Sequence, residues 1–213
     1  MTIGRHAPGA QLARHRHAAG YVALVLAGDY EEAGDTGRVR AAPGTVIVHH
    51  AWSAHRDRFG KLGAQVLDLP LVYDLAEGSG TVTDPDSITR LAERDPRAAA
   101  EALRDDFRPR TLAPLDWPDL LARRLADDDM PPLAHWAKET GLDPASVSRG
   151  FARVYGVSPK RYRLELRTRR ALLSMSGWQG SLAALAAEHG FADQAHFARA
   201  ARALTGRTPS QLR

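Results

Sequence analysis

The sequence predicts an α+β chain: an N-terminal antiparallel β-barrel followed by an all-α region holding two helix-turn-helix units. Three observations predict it. Short apolar runs separated by Gly, Pro and Asp fill the first 75 or so residues. After Asp116, helix start and stop signals follow one another closely. The helical part also repeats itself at an offset of 49 to 50 residues.

The strand reading starts from the run Tyr21-Val22-Ala23-Leu24-Val25-Leu26, closed by Gly28-Asp29. Thr45-Val46-Ile47-Val48 follows Pro43-Gly44, and Ala64-Gln65-Val66-Leu67-Asp68-Leu69 precedes Pro70. Short strands between turn residues are the pattern of an antiparallel barrel or sandwich. From Asp84 the texture changes, and residues 87–93 and 96–107 read as two short helices, the second with Pro at its first turn. Residues 108–114 lack periodicity and read as a boundary. The expected organisation is a sensor domain over 1–83, a helical linker over 84–113 that relays a signal or forms a homodimer contact, and a helical domain over 114–213.

In the helical domain Asp116 can cap a first helix bearing Leu120, Leu121 and Leu125 on one face. Further helices are expected at about 132–140, 144–155, 159–174, 182–189, 194–205 and 209–213. Asp143, Ser158, Ser181, Asp193 and Thr208 stand at their starts, and Gly141, Gly156, Gly190 and Gly206 at their ends.

With 44% hydrophobic and 25% charged residues, the 213-residue chain has the composition of a soluble globular protein. No apolar run reaches the ~18 residues of a membrane span, and no signal-peptide pattern opens the sequence. There is no Cys, which excludes disulfides and thiolate chemistry. A cytoplasmic protein without a membrane partner is expected. The net charge of +4 is unevenly spread: residues 1–116 carry 14 Lys+Arg against 16 Asp+Glu, and residues 117–213 carry 15 against 9. The second part, at +6, suits a polyanion partner.

The repeat aligns Leu133-Ala134 and Glu139-Thr140-Gly141-Leu142 with Leu182-Ala183 and Glu188-His189-Gly190-Phe191. Beyond the turn Ala145 pairs with Ala195, Arg149 with Arg199, Gly156 with Gly206 and Pro159 with Pro209. Each copy reads short helix, Gly-containing turn, longer helix, which is the layout of a helix-turn-helix whose second helix enters the major groove. In the first copy Val147, Phe151 and Val154 form the stripe that must be buried. Ala145, Ser146, Ser148, Arg149 and Arg153 are left to face outward. In the second copy Phe197, Ala200, Ala201 and Leu204 face in, leaving Gln194, Ala195, His196, Arg199 and Arg202. Small residues let a helix sit deep in a groove, Arg pairs with guanine O6/N7, and Gln pairs with adenine. Double-stranded DNA is the expected partner. The bridging helix 159–174 is roughly 24 Å long at 1.5 Å per residue, which suits two recognition helices on major-groove faces about 34 Å apart.

Residues 117–213 resemble the C-terminal domain of the AraC/XylS family of bacterial transcription factors. The resemblance is carried by Asp143-Pro144-Ala145-Ser146-Val147-Ser148-Arg149-Gly150-Phe151, Gly156-Val157-Ser158-Pro159-Lys160-Arg161-Tyr162 and Gly190-Phe191-Ala192-Asp193-Gln194-Ala195-His196-Phe197-Ala198-Arg199. It implies one domain reading two adjacent major grooves. Gly150 and Ala201 depart from the family pattern, which has larger residues there.

The front part resembles a cupin over residues 6–72. Gly9, His15-Arg16-His17, position 21 and Gly28 follow the spacing of the first cupin motif, with Tyr21 in place of its Glu. Gly44, position 50 and His55 follow the second, with His50 for Pro, Trp52 for Gly and Phe59 for Asn. His15 and His17 alternate on a strand and so share a face. With His55 they make a three-imidazole set suited to a divalent Zn, Ni, Cu or Fe ion with open positions. Loss of the Glu removes the anionic ligand, and Tyr21 and His50 are the candidate replacements or effector contacts. Of the pair His49-His50, one is expected to point in and one out.

The function expected from these readings is sequence-specific, DNA-binding transcriptional regulation, without enzymatic activity, in response to a small molecule or metal ion in the barrel. The alternative is a cupin-type metal-dependent enzyme, dioxygenase- or isomerase-like, with an accessory DNA-binding domain.

Overall fold

The computed structural model describes residues 2–72, 75–127 and 129–213. Residues 1, 73, 74 and 128, which the expected ranges 1–83 and 114–213 include, lie outside the described residues. The chain forms two compact units, Met1–Arg123 with Val154–Gly156, and Arg124–Arg153 with Val157–Arg213.

The first unit is an eight-stranded sheet in which every pairing is antiparallel. Its strands are β1 (Thr2–His6), β2 (Gln11–Arg16), β3 (Tyr21–Gly34), β4 (Gly37–Ala41), β5 (Thr45–His49), β6 (Ala54–Pro70), β7 (Gly78–Thr81) and β8 (Arg108–Arg110). The long strands β3 and β6 pair from Tyr21↔Pro70 to Gly34↔His55 and form the spine. Their register shifts twice, between Val25 and Ala27 and between Gly28 and Tyr30. At Gly28 (φ 72°) the two backbones come so close that an added Cβ would lie 1.9 Å from the Gly63 carbonyl oxygen. Only a residue without a side chain fits there.

The alternation of the strands feeds two apolar clusters, one on each face. Ala23, Val25, Tyr30, Val39, Ile47, Phe59 and Val66 pack on the inner face. Val22, Leu24, Val46, Val48, Leu67 and Leu69 pack on the other, against helices α1 (Pro85–Ala92) and α2 (Pro96–Asp106). These helices start on Asp84 and Asp95, whose carboxylates accept from Ser87 N and from Arg97 and Ala98 N. Ile88, Ala92, Ala99, Ala100 and Leu103 are buried in the same cluster. Segment 84–113 is therefore not a separate linker, because its apolar stripe is part of the sheet's core. Residues 108–110, expected as irregular, add an exposed edge strand to β7. Pro109 is tolerated there because an edge strand does not need every N–H.

Helix α3 (Trp117–Ala126) brings the buried Asp119 to this unit. Its carboxylate accepts from Leu115 N at 2.7 Å, from the Arg38 guanidinium, and from the fully buried Tyr155 hydroxyl at 2.8 Å. Arg38 also donates to Asp116.

The second unit is helical: α4 (Leu133–Glu139), α5 (Pro144–Tyr155), α6 (Pro159–Ser174), α7 (Leu182–Glu188), α8 (Gln194–Thr205) and α9 (Pro209–Leu212). The repeat is visible in the backbone. Leu142 N bonds to Ala137 O at 2.8 Å, and Phe191 N, 49 residues on, bonds to Ala186 O at 2.9 Å. Gly141 N to Lys138 O and Gly190 N to Ala187 O complete the same C-cap. The two glycines hold φ of 70° and 69°, a conformation that favours Gly. Val147 and Phe151 are fully buried, with Phe151 edge-on to Tyr162 at 5.3 Å between centroids. In the second copy Phe191, Phe197, Ala200 and Ala201 pack with Leu185, Ala186, Ala171 and Met175.

Candidate functional site

Two sites follow from these units. In the helical unit, Asp143 Oδ2 accepts from Ser146 N at 2.8 Å and Asp193 Oδ1 from His196 N at 2.6 Å, so each longer helix begins on an Asp cap. That fixes which side chains face out. On α5, Ala145, Ser146, Arg149 and Arg153 are exposed and Ser148 is half-buried. On α8, Gln194, Ala195, Arg199 and Arg202 are exposed. His196 is half-buried, because its ring packs edge-on against Phe191 at 5.3 Å. Arg149 donates to Ser146 Oγ at 3.2 Å on its own helix, and so uses little of its donor capacity. Sequence reasoning gave no role to Arg167, whose guanidinium donates to Gly190 O at 2.9 Å and lies 5.9 Å from the Phe191 ring centre. It braces the turn ahead of α8.

In the sheet unit, a cavity of about 460 Å³ opens on the inner face. Its polar lining includes His15, His17, Tyr21, Glu32, His49, His55, Asp57 and Asp68. His15 and His55 are direct cross-strand partners on β2 and β6, with ring centroids 4.2 Å apart. His17 lies 5.1 Å from the His15 ring and 5.6 Å from the His55 ring. One nitrogen from each of the three can be chosen so that all lie within 4.8 Å of one another. His15 Nδ1 donates to Ala13 O at 2.9 Å, which leaves Nε2 with its lone pair. The His15–His17–His55 set therefore fits a divalent metal ion in donor type and convergence.

The remaining residues differ from expectation. Tyr21 lines the cavity, with its hydroxyl 3.4 Å from His55 Nε2. His50 does not line it: its Nε2 donates to Leu75 O at 2.6 Å. Its neighbour His49 is the one that points in, 5% exposed, with Nε2 3.5 Å from Glu32 Oε2. The lost motif Glu does not leave the pocket without carboxyl groups, since Glu32 and Asp57 enter it from β3 and β6. Trp52 keeps the left-handed backbone, φ 64°, that suits the Gly of the cupin motif.

Burial governs the charge state of this pocket. It raises the Glu32 carboxyl well above the ordinary range, reinforced by Asp57, and takes Asp57 up to about 7. Burial also pushes His55 down to about 2, helped by His49, His15, His17 and Arg14. At neutral pH the imidazole of His55 is thus uncharged. His55 Nδ1 and Asp57 Oδ1 are buried with no hydrogen-bond partner among the described residues.

Among the described residues no helix is long and apolar enough to cross a membrane. Residues 136–213 match the family model described as "Helix-turn-helix domain". No curated protein matches the chain. Among solved structures, the chain is similar to unsaturated fatty acid bound wild-type ToxT from Vibrio cholerae, at 11% identity over 98% of this chain and 92% of that one, with a TM-score of 0.41. It is similar to an AraC-type transcriptional regulator from Chromobacterium violaceum, at 24% identity over 42% of this chain and 80% of that one, TM-score 0.38. It is also similar to salicylate 1,2-dioxygenase from Pseudaminobacter salicylatoxidans, at 19% identity over 31% of this chain and 20% of that one, TM-score 0.30. The matched segment contains both α5 and α8, with their turns and caps. Residues 136–213 form an AraC-type helix-turn-helix domain.

Proposed function

We propose that this chain is a sequence-specific regulator that reads double-stranded DNA with α5 and α8 and takes an effector in the cavity of its sheet unit. The observation that carries the first part is the doubled, Asp-capped helix with an exposed face of small residues and arginines, within a segment matched to a helix-turn-helix family. Arg149 and Arg199 are assigned to base edges, with Gln194 as a reader of adenine. Ala145 and Ala195 keep the helices close to the groove floor, and Ser146, Ser148, Arg153, His196 and Arg202 line the same faces. The +6 charge of residues 117–213 supplies the sequence-independent attraction.

The effector is a small molecule or a divalent metal ion. The cavity's volume and mixed lining support this, with His15, His17 and His55 as the sequence-expected ligands. An effector changes DNA binding only by favouring one of two conformations. A three-histidine arrangement grants no activity by itself, and no separate observation favours the enzyme reading.

The test is selection from a pool of random duplexes with the full chain, followed by sequencing. Enrichment of a motif with two half-sites about one helical turn, ~10–10.5 bp, apart is expected. A selected pool no different from the starting pool would overturn the reading.

A further inference from the structure

The cavity holds a second convergent ligand set that cupin-motif spacing does not mark. Glu32 from β3, His49 from β5 and His55 from β6 each offer one ligand atom, all within 4.8 Å of one another. We infer that a metal ion in this pocket is held by Glu32, His49 and His55 rather than by His15, His17 and His55. This rests on the reading of the cavity as the effector site and specifies the ligand chemistry as a first-row divalent transition-metal ion.

Three observations carry it. The first is burial. Glu32, His49 and His55 are 5%, 5% and 3% exposed, whereas His15 is half-buried and His17 exposed. The two sets share His55, so an ion drawing on that residue has a choice, and the deeper set excludes competing water.

The second is charge. Three neutral imidazoles leave the full dipositive charge to be buried, while a carboxylate with two imidazoles halves it. Two imidazoles and one carboxylate form a recurrent donor set for zinc and for non-haem Fe(II), leaving positions open for a further ligand.

The third is the carboxyl pair. Glu32 and Asp57 are direct cross-strand partners, both about 5% exposed and both in the cavity. Two buried carboxyls placed directly opposite one another cannot both carry charge unless a cation lies beside them. A cation on Glu32 supplies that charge, with Asp57 close by in the cavity, its Oδ2 3.8 Å from His55 Nε2. His15 and His17 remain part of the cavity lining.

The test uses the full chain stripped with a chelator and titrated with Co(II), read by its visible absorption bands, with Zn(II) competition and elemental analysis for stoichiometry. Glu32→Gln, which keeps size and shape, is expected to weaken Co(II) binding at least about 100-fold, beyond the ~10–100-fold cost of an outer partner. His49→Gln should do the same, and keeps the test decisive if Glu32→Gln fails to fold. The His15→Ala/His17→Ala double variant should change binding by less than about tenfold. Loss of uptake in the double variant alone, with Glu32→Gln and His49→Gln folded and unaffected, would overturn the inference. So would a wild-type chain that takes up no Co(II), Zn(II), Ni(II) or Fe(II). Duplex affinity, measured on the same samples, reports separately on the DNA-binding reading, so each can fail without the other.

Discussion

The Arg149→Ala and Arg199→Ala substitutions separate base reading from general attraction. Arg149 is exposed, and among the described residues its hydrogen-bond partner is the Ser146 hydroxyl at 3.2 Å on the same helix. Truncation uncovers no buried group, so the folding cost should stay within about 0.5 kcal/mol. Any larger change in DNA affinity then comes from the duplex. A bidentate contact to guanine contributes about 1–3 kcal/mol of discrimination, which is about 5- to 150-fold in Kd at ~1.4 kcal/mol per decade. The assay is fluorescence anisotropy on the selected duplex and on single-base variants of it, from about 50 to 200 mM salt. Wild-type affinity should fall steeply across that range, because the +6 part must displace counterions. Each variant should lose its 1–3 kcal/mol and its preference at one half-site only, while keeping nearly the wild-type salt slope. A uniform loss on every sequence, with the slope reduced by about 1, would mean the arginine meets phosphate. No loss at all in a folded variant would refute the assignment of these helices.

Three further outcomes test the fold and the pocket. Tyr155→Phe removes the donor to buried Asp119 and should cost roughly 1–3 kcal/mol in urea unfolding; an unchanged midpoint would show that Arg38 and Leu115 N satisfy that carboxylate alone. Gly28→Ala places a Cβ 1.9 Å from the Gly63 oxygen at φ 72° and should destabilise by at least about 2 kcal/mol or prevent folding, read by thermal melting. Asp68, raised from 3.8 to about 6 by burial, keeps in the folded state a proton that the unfolded chain releases. The unfolded state binds fewer protons between those values, so this group's contribution makes stability fall as pH rises from about 4 to 6. Asp68→Asn should remove that part of the decline, and parallel pH profiles for variant and wild type would contradict it.

How much of this was legible in the sequence depended on whether the signal was local. The bounds Pro144–Tyr155, Pro159–Ser174 and Gln194–Thr205 coincide with those expected, because caps and Gly stops act within one turn. The faces of α5 and α8 followed from 3.6-residue periodicity. Tyr155 was passed over because the expected stripe ended on Val154, and its hydrogen-bond partner Asp119 lies 36 positions away in the sequence. The pocket was half legible. His15, His17 and His55 carry a motif spacing, whereas Glu32, His49 and Asp57 do not. On β3 the pocket side is taken by Tyr21 and Ala23, then, past two register shifts, by Tyr30 and Glu32. The shifts exchange odd for even positions, so simple alternation from Tyr21 puts Glu32 on the wrong face. Residues 84–113 read as a linker because their short apolar stripes gave no hint of the sheet face that buries them.

The central claim is that two recognition helices meet one duplex in successive major grooves. Major-groove methylation interference on the selected duplex, with the full chain, tests it most directly. Two clusters of contacted guanines, about one helical turn (~10–10.5 bp) apart, are predicted. Arg149→Ala should erase one cluster and Arg199→Ala the other. A single cluster lost equally in both variants, or interference spread evenly along the duplex, would contradict it.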